Sequence, residues 1–73
     1  MNEIVNQLER IFKSYNISFK KMNAHKTKML LLESSNPARL RRYLKEKFHK
    51  DINMEEAKDL EVLLLTYQYI SNN

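Results

Sequence analysis

The chain has no cysteine, no glycine and no tryptophan, and its single proline is Pro37. Without cysteine there is neither a disulfide staple nor a thiolate metal site. Two histidines, His25 and His49, do not make a structural zinc site unless carboxylates join them. The lack of glycine excludes every Gly-rich phosphate loop, so there is no Walker A loop and no dinucleotide fingerprint. Any backbone position of positive φ must then fall to another residue type, and asparagine tolerates it best. Eight asparagines are available, several of them at apparent element boundaries. Apolar runs are short as well, and none approaches the roughly 18 residues of a membrane span. Met1 leads directly into polar Asn2 and Glu3, without a signal-peptide pattern. The expectation is a cytoplasmic protein with no membrane partner.

What is present is 73 residues, one domain's worth of chain. A domain this short buries only about 60% of the surface its unfolded chain exposes. Its core typically leaves about 3–5 kcal/mol of net stability. The net charge is +4, and it is unevenly spread. Residues 1–38 carry +3, residues 39–50 carry +5, and residues 51–73 carry −4. A basic body with an acidic last segment favours an anionic partner, either nucleic acid or an acidic protein surface. The plainer reading of the same residues is a solvated Lys/Arg face.

Ile4, Val5, Leu8, Ile11, Phe12 and Tyr15 follow helical spacing and predict an amphipathic helix over 3–15. Asn2 suits its start, and Asn16 suits the left-handed position after its end. Residues 17–22 alternate at Ile17 and Phe19, and 27–33 form a short apolar run. With Asn23-Ala24-His25-Lys26 between them, these segments predict a β-hairpin. The competing reading makes 27–33 helical, because Met and Leu are good helix formers. Asn36 as cap and Pro37 at the first helical position start a helix that runs to about Lys50. Its apolar stripe is Leu40, Tyr43, Leu44 and Phe48. Asn53 with Glu56 three residues on resembles a capping box and opens a last helix. Ala57, Leu60, Leu63, Leu64 and Tyr67 form its core stripe, while Val62, Leu65 and Tyr69 form a second stripe on the opposite side. A strand over 62–70 is the alternative, since Val, Thr, Tyr and Ile favour sheets. The predicted order is α-β-β-α-α, a small α+β domain.

Helix 37–50 is the first candidate for function. Its cations can neutralise phosphates and release counterions, and arginine can also pair guanine edges in a major groove. The expected nucleic-acid contacts are Arg39, Arg41, Arg42, Lys45 and Lys50. They are joined by Lys20, Lys21, Lys26 and Lys28 around the hairpin turn. The pair of helices joined near 50–53 has the outline of a helix-turn-helix, but its second helix is acidic and a poor reader of DNA. His25 and His49 are the only candidates for acid–base work; His25, in the predicted turn among lysines, has the setting of a general base for RNA cleavage, and the plainer reading of both is a solvated surface histidine. The expectation is a protein without enzymatic activity, cofactor or metal, acting as a nucleic-acid-binding regulator or accessory protein. The alternative is an inhibitor or adaptor that docks on a nucleic-acid-processing factor. Val62, Leu65 and Tyr69 are expected to form a homodimer interface, since so short a chain has little else to cover them.

Overall fold

A computed structural model describes the backbone of residues 2–71 and the side chains of residues 3–71. Its elements are α1 (Asn2–Lys13), α2 (Ala24–Glu33), α3 (Pro37–Phe48) and α4 (Met54–Ser71). No strand occurs among the described residues. The expected α+β domain with a β-hairpin is therefore corrected to an all-helical one.

The hairpin fails on both of its arms. Asn23 is a helix cap and not a turn residue: its side-chain oxygen accepts the Lys26 amide at 2.8 Å, and its backbone is extended. The Thr27 hydroxyl donates to the Asn23 carbonyl at 3.0 Å. From that cap the run Met29-Leu30-Leu31-Leu32 continues as α2, with Leu30 buried and Leu31 half-buried. Ser34 completes the inner side one turn later, fully buried, its hydroxyl donating to the Leu31 carbonyl at 2.7 Å. That bond satisfies a polar group that would otherwise be costly to bury.

Residues 17–22 form no strand either. Tyr15 and Asn16 close α1, and Asn16 takes the left-handed conformation at φ 63°. The Ile17 amide returns to the Phe12 carbonyl and the Asn16 amide to Lys13, each at 2.9 Å. This is the Schellman pairing, made with asparagine where glycine is usual. The chain then drops Phe19 into the core. The Phe19 ring stacks on Phe12 at 5.5 Å and meets Tyr67 edge-on at 5.3 Å. The alternation of Ile17 and Phe19 thus records a loop that plugs the core, with Ser18 and Lys20 turned to Glu9.

The expected starts of α3 and α4 have direct counterparts. Asn36 accepts the amides of Ala38 and Arg39 ahead of Pro37. Asn53 accepts the Glu56 amide at 2.8 Å. Helix α3 stops at Phe48 and not at Lys50, because His49 turns left-handed at φ 57°. Residues 62–70 are helical, within α4. The capping role expected of the Asn2 side chain lies outside the described side chains. Helix α4 is the hub, packed against α1, α2 and α3, while α3 also packs on α2. The buried core joins Leu8 and Phe12 of α1, Leu30 of α2, Leu40 and Leu44 of α3, and Ala57, Leu60 and Leu64 of α4. Phe19 and Ile52 enter it from the connections.

Glu9 pins the plug loop from α1. Its carboxylate accepts the Lys20 amide at 2.7 Å and the Ser18 hydroxyl at 3.1 Å. The Lys20 amide holds the Glu9 carboxyl below its ordinary value against desolvation, the next-largest effect, with lesser help from the Ser18 hydroxyl and the charges of Lys20 and Lys13. A depressed carboxylate stabilises the fold above its unfolded pKa and loses that contribution as pH falls through the folded one. The Lys20 amide resonance should therefore titrate with a midpoint below the ordinary glutamate value of about 4.3. Glu9→Gln should abolish that titration. A midpoint at or above the ordinary value in an NMR pH series would contradict the anchoring role.

Candidate nucleic-acid interface

Helix geometry decides which α3 cations face outward. Leu40 and Leu44 are buried, so Arg42, about 200° round the helix from Leu40, points away from the core. Arg42 forms a ridge between two open depressions. On the α4 side, a depression of about 300 Å³ is lined by Arg41, Arg42 and Lys45 together with Asp51 and Met54. On the α2 side, one of about 440 Å³ is lined by Arg39, Arg42 and Lys47 together with Glu33, Tyr43 and Glu46. The structure thus gathers Arg39, Arg41, Arg42 and Lys45 on the outer half of one twelve-residue helix. Lys47, which sequence reasoning left out, lines the α2-side depression from the inner side of the helix, seven residues past Leu40, where it is exposed.

These cations are not equivalent. Arg39 donates from Nε to the Glu33 carboxylate at 3.2 Å, an exposed pair across the α2–α3 turn. Arg41 donates from Nε to the Ile52 carbonyl at 2.6 Å and ties α3 to the segment that enters α4. Arg42 and Lys45 are exposed, and both line the α4-side depression. Three carboxylates, Glu33, Glu46 and Asp51, lie among the cations and dilute the local charge.

The other expected contacts are dispersed. Lys50 lies with its ammonium 5.3 Å from the centre of the Tyr15 ring, at the far end of α3. With no hairpin, no shared turn presents Lys20, Lys21, Lys26 and Lys28. Lys20 and Lys21 sit on the plug loop, and Lys26 and Lys28 belong to α2. Residues two apart on a helix do not share a face. Lys26 accordingly covers the Phe48 ring at 5.9 Å, beside Lys21. Lys28 borders a separate groove with Met22, Leu31, Leu32 and Tyr67.

The Tyr15 phenol is pushed up by burial and then by Glu56, and the Tyr43 phenol by burial and then by Glu33. With Glu9 pushed down, all three shifts lead away from neutral pH. His25 is exposed in the first turn of α2, and His49 is exposed at the left-handed end of α3. Among the described residues no group of three or more His, Asp or Glu side chains is placed to hold a metal ion. No described helix is long and apolar enough to cross a membrane. Compared with known proteins, the chain matches no family model, no curated protein and no solved structure.

Proposed function

We propose that the protein is a cytoplasmic nucleic-acid-binding regulator or accessory protein, without catalytic activity, that contacts phosphates through the outer ridge of α3. The observation that carries this reading is Arg42 standing between two depressions, with Arg41 and Lys45 on one side and Arg39 and Lys47 on the other. A helix presenting guanidinium and ammonium groups outward along about two turns matches a phosphate backbone in charge. The local architecture adds support. Helix α2 leads into α3 through only Ser34, Ser35 and Asn36, the connection length of a helix-turn-helix. In that motif the second helix enters the major groove, and here the second helix is the basic one. It replaces the α3–α4 pair, whose second helix opens with Glu55 and Glu56. Glu33, Glu46 and Asp51 among the cations favour weak, salt-sensitive binding over tight binding.

A mobility-shift titration with random duplex and single-stranded DNA and RNA, at two salt concentrations, tests this. The double variant Arg42→Ala/Lys45→Ala should bind at least about tenfold more weakly. The slope of log K against log salt should fall by roughly 0.9 for each duplex phosphate that is no longer neutralised. Absence of binding by the parent protein, or an unchanged slope in the variant, rejects the proposal. Either result favours an inhibitor or adaptor that docks on an acidic protein surface.

A further inference from the structure

Helix α4 turns Ala57, Leu60 and Leu64 into the core and leaves Val62, Leu65 and Tyr69 on its other side, 61, 42 and 72% exposed. With Lys58, these residues run at steps of four, three and four, the spacing of a coiled-coil seam. The seam is symmetric about the Leu63–Leu64 peptide: Val62 and Leu65 lie next to that centre, and Lys58 and Tyr69 lie four residues further out on either side. A two-fold axis through the centre sets Val62 against the Leu65 of a second copy and Lys58 against its Tyr69. The outer pairs are then ammonium–aromatic contacts, a contact this chain already makes at Lys26–Phe48 and Lys50–Tyr15.

Charge decides the direction. All the carboxylates of α4, namely Glu55, Glu56, Asp59 and Glu61, precede Val62, and residues 62–71 carry no charge. Parallel pairing would set the acidic halves side by side, and like charges repel. Antiparallel pairing lays each acidic half along an uncharged one. It also gives the closed, self-complementary contact of a two-fold dimer.

We propose that the occupant of this face is a second copy of the chain, paired antiparallel through Lys58, Val62, Leu65 and Tyr69. The proposal does not depend on the nucleic-acid reading. One helix from each copy offers less than the ~800 Å² per partner of a standard interface. The dimer is accordingly weak, with a dissociation constant on the order of 100 μM.

Sedimentation equilibrium from about 10 μM to about 1 mM spans that value. The average mass of the parent should rise from 8.8 kDa toward twice that figure. Leu65→Glu, a change outside the buried core, should keep the monomer mass throughout with an unchanged circular-dichroism spectrum. A monomer mass for the parent at the highest concentration overturns the proposal, as does undiminished association of Leu65→Glu. The cysteine-free background allows a second measurement that does not depend on that variant. When Val62→Cys and Leu65→Cys chains are mixed and oxidised, the mixed disulfide should predominate over both symmetric ones. Predominance of the symmetric disulfides overturns the antiparallel register.

Discussion

Phe19→Ala should bring the protein to the edge of unfolding at room temperature. Phe19 is buried although it sits in a loop, and its ring joins Phe12 of α1 to Tyr67 of α4. Tyr15 extends the cluster, edge-on to Phe12 at 5.8 Å. Truncating a buried Phe to Ala costs about 3–5 kcal/mol, from the forfeited transfer free energy and from the cavity left behind. The net stability of a core this small is also about 3–5 kcal/mol. One ring therefore accounts for most of the margin, and α1, which among the described residues packs on no helix but α4, should detach first. Phe19→Leu keeps much of the volume and should remain folded, with a loss below roughly 2 kcal/mol. Urea denaturation followed by circular dichroism distinguishes these outcomes. A cooperative transition of Phe19→Ala near the parent midpoint would show that the loop is peripheral to the core.

The same residue shows where the sequence is readable and where it is not. Helices α1, α3 and α4 announce themselves because each carries apolar residues at helical steps and has one boundary of recognisable chemistry. Asn36-Pro37, Asn53 as cap, and Asn16 in place of glycine all act as their types suggest. Helix α2 is hidden because its inner face is Thr27, Leu30, Leu31 and Ser34, with polar residues at both ends of the stripe. Four consecutive apolar residues, 29–32, then erase the period, and Leu32 is spent on solvent at 54% exposure. The plug loop imitates a strand because any segment that buries alternate side chains gives a two-residue rhythm. Its true anchor, Glu9, lies eleven residues from Lys20, beyond any local pattern. His49 is the second positive-φ residue, and nothing about a histidine amid lysines marks it as a helix terminator. At the candidate interface the density of cations on helix 37–48 is legible from composition. Their division of labour is not, because it is set by Glu33 and the Ile52 carbonyl arriving from other elements.

That division of labour separates Arg41 from Arg42, neighbours that look alike in the sequence. Arg41→Ala removes a 2.6 Å bond to the carbonyl of Ile52, a residue that is itself part of the core. Hydrogen bonds to charged groups contribute about 1.5–3 kcal/mol. Arg41 is largely exposed, so solvent screening brings the expected loss to about 1–2 kcal/mol. With a urea dependence of about 1 kcal/mol/M for a chain this size, the unfolding midpoint should fall by about 1–2 M. Arg41→Lys keeps the charge but loses the rigid fork that aims Nε at the carbonyl, so it should recover little of the loss. Arg42 has no such tether and lines both depressions. Arg42→Ala should leave the stability within about 0.5 kcal/mol of the parent's while weakening binding to nucleic acid and flattening its salt dependence. Urea melts and mobility shifts on the three variants separate the two roles. An Arg41→Ala midpoint equal to the parent's would show that the carbonyl bond does not hold α3 to the α4 approach. An Arg42→Ala variant that melts early would show that the ridge is part of the fold and not a surface left for a ligand.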